Sequence, residues 1–404
     1  MNAVGVIVEY NPFHNGHAFH LQEARKLADA EIVIAVMSGN FLQRGEPALV
    51  SKWKRTEMAL KAGADIVFEL PYAFATQQAN SFASGAVSIL EAAGCHSLCF
   101  GSESGDIESF CQTISYLETN NEHYQRQVKH YLEQGNSFPK ASSLAFHDLS
   151  PHEELLDMSK PNNILGFQYV KAVQKQDASI QPLTVSRKSA DYHDPHFSSD
   201  TIASATSIRK ALFSNKGEIA NVRQYMPETS YQALLEYRHE FGLFHDWENY
   251  WPYLKFRILN STSEELSFIY EVEEGLENRL AAAVLVSNSF HEFMNKIKTK
   301  RYTWTKLQRA CVHILTNTRK NEMNKQTEQA EYLRLLGMTS KGRQYLNKKK
   351  SSLLLPLISK LSSVQNKHLA LDIRASRIYS MAALGNAQQR LIEMEFKQPP
   401  LFID

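Results

Sequence analysis

The sequence predicts an α/β fold: a doubly wound, Rossmann-like parallel sheet at the N-terminus followed by a mainly α C-terminal domain. Three observations predict it. Short β-branched runs alternate with helical stretches over the first hundred residues. Each apolar run is continuous, as in strands buried on both faces. Beyond about residue 225 strand signals nearly vanish. These give two domains, 1–225 and 226–404.

Taken in order, Ala3–Val8 (AVGVIV), 31–37 (EIVIAVM) and 65–70 (DIVFEL) read as strands. Between them, 17–29 and 51–62 carry apolar residues at helical spacing. A helix-like stretch at 84–93 precedes a fourth strand, 97–100 (SLCF). From 107 to 180 the pattern is mainly helical, broken at Phe138-Pro139 and Lys160-Pro161, with a helix starting near Asn162. Residues 181–187 (QPLTVSR) form a fifth strand, and a polar stretch then leads into the helix IRKALFSN. Helical segments rich in Leu, Ala, Lys and Gln continue to the end, with no repeat of 20 to 50 residues.

The 404 residues are 43% hydrophobic and 22% charged, which excludes disorder as the overall state. The net charge of +1 conceals a regional sorting. Residues 291–350 hold 15 Lys/Arg against 4 Asp/Glu, whereas residues 1–290 hold 23 against 35. Four irregularly spaced cysteines, with no CxxC pair, do not make a disulfide framework. Cys95 and Cys99 around His96 read as buried thiols rather than half a metal site. No apolar run approaches the ~20 residues that cross a bilayer, and the N-terminus lacks the basic flank and cleavage site of a signal peptide. A soluble, cytoplasmic protein is expected.

Ligands of such a fold sit at the carboxyl ends of its strands. Directly after the first strand comes NPFHNGH, with His14 and His17 in an HxGH pattern at a helix N-terminus. Imidazole N–H groups there can stabilise charge growing on an α-phosphate and on departing pyrophosphate. Gly16 would let a nucleotide approach the backbone. No Walker A sequence is present. In its place Ser204, Thr206, Ser207, Arg209 and Lys210 offer hydroxyls, amides and cations at a helix start.

HxGH together with this Ser/Thr-rich helix start resembles the nucleotidyltransferase superfamily related to class I aminoacyl-tRNA synthetases. A narrower likeness runs from residue 1 through at least 309. GVIVEYNPFHNGH, VMSGNFLQRGEPAL, GADIVFELP, FGSESGD, KPNNILG, SRKSADYHD, SATSIRKAL and TKRYTWTKLQR, in that order, resemble the bacterial tRNA(Met) cytidine acetate ligase family. The resemblance implies a HIGH-type nucleotidyltransferase domain and a two-step reaction. Acetate attacks ATP to give acetyl-adenylate, and the wobble cytidine N4 of elongator tRNA(Met) then takes the acetyl group. It implies His14, His17, Thr206 and Arg209 as catalytic residues. ATP contacts are implied on Ile7, Val8, Glu9, Tyr10, Asn11, Pro12, Phe13, His14, Asn15, Gly16, His17 and His20. Further contacts fall on Gly101, Asn162, Arg187, Lys188, Ser204 and Ser207. Mg2+ is expected with ATP.

Lys296, Lys298, Lys300, Arg301, Lys306 and Arg309, interleaved with Tyr302 and Trp304, combine phosphate-neutralising charge with aromatic faces and point to a tRNA surface. Lys348 to Lys350 either extend it or form a solvated turn. A small-molecule adenylyltransferase remains the alternative from the motifs alone, and an RNA-binding protein with a relict nucleotide fold is a third.

Overall fold

The computed structural model describes the chain except residues 150–154, 187–200, 215–216, 324–327 and 362–365. Its N-terminal half runs β1 (Ala3–Val8), α1 (Asn15–Leu27), β2 (Ile32–Ser38), α2 (Lys52–Lys61), β3 (Ile66–Leu70), α3 (Tyr72–Ala75), α4 (Ala79–Ala92) and β4 (Ser97–Ser102). There follow α5 (Ile107–Thr119), α6 (Asn121–Glu133), α7 (Phe138–Asp148), α8 (Pro161–Lys175), β5 (Gln181–Ser186) and α9 (Ala205–Leu212). All five strands are parallel, in the order β5-β4-β1-β2-β3. Chain order reverses between β1 and β4, so the ligand crevice lies outside their carboxyl ends.

The alternation within β2 shows why the runs are apolar throughout. Ile32, Ile34 and Val36 enter one core layer, and Val33, Ala35 and Met37 enter the other. Helices α3, α4 and α8 cover the first layer, and α1 and α2 cover the second.

The expectation of a C-terminal half nearly without strands is corrected. Leu333–Thr339 is β6, antiparallel to β3, and Leu357–Ile358 (β7) and Leu401–Ile403 (β8) pair parallel with β6. Residues LRLLGMT are Leu-rich and short, and periodicity does not separate such a run from a buried helix. The other C-terminal elements are helical, and they build onto both core layers: Trp247–Leu259 and Trp304–Leu315 join the first, Glu228–Phe241 the second. No helix among the described residues is long and apolar enough to cross a membrane. Cys95, Cys99 and Cys311 are buried, Cys111 is exposed, and all four are thiols.

Candidate active site at the switch point of the sheet

After β1 the chain turns through Tyr10, whose φ of 51° is left-handed, and through a cis Asn11-Pro12 peptide. His14 then caps α1: its Nδ1 accepts from the Gly16 amide at 3.0 Å, while His17 Nδ1 accepts from the His14 amide at 3.3 Å. The two caps make both Nδ1 atoms acceptors, so each neutral ring carries its proton on Nε2. The rings stack with centroids 3.7 Å apart. The motif therefore aligns two Nε2–H donors.

Gly16 also has a packing reason. A Cβ there would lie 2.9 Å from His14 Cε1 and 3.1 Å from its Nδ1, so the missing side chain makes room for the capping imidazole. Asn15 also serves the protein: its amide donates to the carbonyls of Thr201 (2.7 Å) and Gln224 (2.9 Å), tying α1 to the segments on either side of α9. Among the other residues of this loop, Val8, Tyr10 and Phe13 belong to the core, Ile7 packs against it, Pro12 is buried, and His20 lies half-buried a turn beyond His17.

At α9 the hydroxyl of Ser204 accepts from the Ser207 amide at 3.1 Å and meets its hydroxyl at 2.9 Å, while Thr206 and Lys210 are exposed. Arg209 reaches back across the crevice. Its guanidinium donates to the Asn11 carbonyl at 2.8 Å and to Glu46 Oε2 at 2.7 Å. Arg209 thus joins the loop after β1 to the loop after β2, and that second loop adds Arg44, which interacts electrostatically with Glu9, Glu46 and Arg209. Burial pushes the Glu9 carboxyl up and the Arg44 guanidinium down. The Gln43 amide donates to Glu9 at 2.7 Å.

Beneath them lies Arg55, which sequence reasoning missed. Its fully buried guanidinium donates to the carbonyls of Glu9 (2.7 Å), Ser38 (3.0 Å), Val50 (3.2 Å) and Gly39. Burial lowers it to about 10. One side chain therefore clamps the carboxyl ends of β1 and β2.

On the β4 side, Gly101 lies inside the strand, paired with Val185. Asn162 is held by Glu103, which accepts from its side-chain amide at 2.6 Å and from the Asn163 backbone at 2.8 Å. Asn163 returns the contact, its Oδ1 accepting from the amides of Glu103 and Ser104 at 3.1 Å each. Asn162 thus helps fasten the start of α8 to the end of β4. Arg187 and Lys188 lie outside the described residues.

The basic segment is less uniformly cationic than its composition suggests. Lys296 pairs with Glu292, Arg301 with Glu274 and Lys306 with Glu273. Arg309 as an RNA contact is corrected: it is 6% exposed and bonds Glu271 at 2.8 Å. Lys298 and Lys300 are exposed, Tyr302 is buried, and Trp304 is half-buried near the His291 ring. The helix Trp304–Leu315 sits directly on the loop after β2, since a Cβ on Gly45 would come within 2.3 Å of the Arg309 nitrogen. That contact brings the middle of this helix against the loop after β2.

A switch-point crevice with a paired-histidine helix start and an arginine crossing it defines a nucleotidyltransferase of the HIGH class. The family model described as HIGH Nucleotidyl Transferase matches residues 1–394. The chain is 48% identical to the tRNA(Met) cytidine acetate ligase of Bacillus licheniformis, covering 100% of this chain and 98% of that one. It is 49% identical to the one from a Geobacillus species, covering 99% and 100%. A crystal structure of apo Thermotoga maritima TmcAL superimposes with a TM-score of 0.92 at 35% identity, and one bound with alpha-thio ATP at 0.90 and 34%, each covering 100% of both chains. The chain belongs to the tRNA(Met) cytidine acetate ligase family.

Proposed function

We propose that the protein is an ATP-dependent ligase that acetylates a cytidine of tRNA(Met), the wobble cytidine of the elongator species, with acetate as acyl donor. The observation that carries this reading is full-length similarity to ligases of that name, together with a complete HxGH helix start at the switch point of the sheet. In the first step an acetate oxygen attacks the α-phosphorus of ATP and pyrophosphate leaves. The Nε2–H donors of His14 and His17 meet the charge that develops on the phosphates, and Arg209, anchored on Asn11, faces the leaving group with Thr206 on the same helix start. In the second step the cytidine N4 amine attacks the acetyl carbonyl, loses a proton, and AMP departs.

Among the described residues no group of three or more His, Cys, Asp or Glu is placed to hold a metal ion. In this reading Mg2+ arrives with ATP, held by phosphate oxygens and water. Lys296, Lys298, Lys300, Arg301, Trp304 and Lys306 border the anticodon as it enters the crevice, with Lys298 and Lys300 the cations most open to phosphate. The labour divides at about residue 225, chemistry before it and RNA contacts after it, and the enzyme works in the cytoplasm beside its tRNA. The test is to incubate the protein with labelled acetate, ATP and bulk tRNA, and to digest the RNA to nucleosides. Labelled N4-acetylcytidine is expected; tRNA that gains no label while ATP is consumed would overturn the reading.

A further inference from the structure

From residue 332 to 371 the chain carries eight Lys and Arg and no Asp or Glu. Most of this charge gathers on the helix Ser340–Lys349 and just past it: Lys341, Arg343, Lys348 and Lys350 are exposed and Lys349 is half-buried. Among the described residues none of these five is ion-paired. The contrast with the acid-balanced segment 296–309 is direct. Of the acids nearby, Asp404 accepts from the Ser340 hydroxyl at the helix start, and Glu91 accepts from Ser179.

The helix is rigidly seated. Gly342 lies so close to β3 that a Cβ would fall 2.1 Å from the Asp65 carbonyl, and Tyr345 donates to the carbonyls of Ala93 and Gly94 at 2.9 Å each. Lys341 and Lys348, seven residues apart, lie about 10 Å apart along one face. Arg343 sits over the exposed ring of Phe402 in β8, 5.9 Å from its centroid. A fixed row of cations beside an aromatic face suits a polyanion with regularly spaced charges.

Its location decides which part of such a ligand it meets. Because β6 runs antiparallel to β3, with Met338 opposite Ile66, the helix lies at the amino ends of the parallel strands. His14 lies beyond the carboxyl ends, about 20 Å away along a six-residue strand. We propose that Lys341, Arg343, Lys348 and Lys350 grip the backbone of the tRNA body, outside the anticodon arm whose cytidine occupies the crevice. This rests on tRNA being the substrate.

The experiment compares wild type with a triple charge reversal, Lys341→Glu, Arg343→Glu and Lys348→Glu, on intact tRNA(Met) and on the isolated anticodon stem-loop. With intact tRNA the KM is expected to rise on the order of 10- to 100-fold at physiological salt, with a shallower dependence on salt, since each lost phosphate contact removes ~0.9 from the slope. Acetylation of the stem-loop and acetate-dependent ATP–pyrophosphate exchange should stay at wild-type levels. An unchanged KM for intact tRNA, or an equal loss on the stem-loop, would overturn the proposal. Should the reversal cost exchange through misfolding, the Lys→Gln, Arg→Gln triple serves instead, with a several-fold rise in KM expected and none refuting. Failure of wild-type protein to acetylate either RNA would instead sink the reading of function.

Discussion

At the scale of single residues, the site turns on which ring nitrogen carries a proton. A serine or aspartate would cap α1 as well as His14 does, but neither would also present an Nε2–H toward a phosphate. Removing either His14 or His17 with Ala should lower acetate-dependent ATP–pyrophosphate exchange by about 10²–10³-fold, the usual scale for one preorganised donor. Binding of tRNA should change little. His14→Asn separates cap from chemistry, because Asn keeps a good capping acceptor: thermal stability should hold while exchange is lost, and normal exchange in this variant would remove His14 from the reaction. Gly16→Ala tests the packing reason for the glycine. Its Cβ would press on His14 Cε1, so exchange should fall nearly as far as in His14→Ala, and an active Gly16→Ala enzyme would show that the ring can yield. The HxGH pattern was legible in the sequence because it is local. The purpose of its glycine was not, since it depends on where an imidazole folds back.

Among the elements, the parallel strands were legible because burial on both faces forces unbroken apolar runs. Arg55, the Glu103–Asn163 exchange and the Arg309–Glu271 pair were not. Each joins residues distant in sequence, and the same side chains on a different framework would be ordinary surface charge. The strand β6 was misread because its leucines suit a helix equally well. Two buried histidines that join helices to one another give a pH prediction. His245 lies between the hydroxyls of Tyr237 (2.8 Å) and Tyr250 (2.6 Å) and stacks on Tyr379, while His313 meets the Tyr72 hydroxyl at 2.8 Å. Burial lowers both to about 3. The unfolded chain therefore takes up these protons near pH 6.5 and the folded protein does not, so stability present above pH 6.5 is lost as pH falls toward 3. Each group contributes a slope on the order of 1.4 kcal/mol per pH unit. Urea midpoints measured from pH 7.5 to 5 should fall steadily, and His245→Gln should remove roughly half of that slope. A flat profile in wild type would mean that the rings are protonated in the folded state.

Over the whole molecule, the division of labour proposed at residue 225 does not coincide with a division of the sheet. Strand β3 is central only because β6 covers it, from Ile66 opposite Met338 to Glu69 opposite Arg334. Lys52, 1% exposed, bonds Glu69 at 2.8 Å and Glu395 at 2.8 Å, so a cation of the N-terminal half is neutralised in part by the last helix. A fragment 1–225 would expose the edge of β3, apolar except for Glu69, a template for pairing with further copies. It would also uncover the core layer that the helices Trp247–Leu259 and Trp304–Leu315 close. The buried network would lose Glu395 and Arg334 together, leaving Lys52 and Glu69 beside an opened core. The fragment is therefore expected to aggregate or to remain without cooperative unfolding, although it holds every residue assigned to the nucleotide. Size-exclusion chromatography and a urea titration followed by circular dichroism would check this directly. A monomeric fragment with a single sharp transition would show that β3 tolerates an open edge, and that the C-terminal half is an attachment rather than part of the fold.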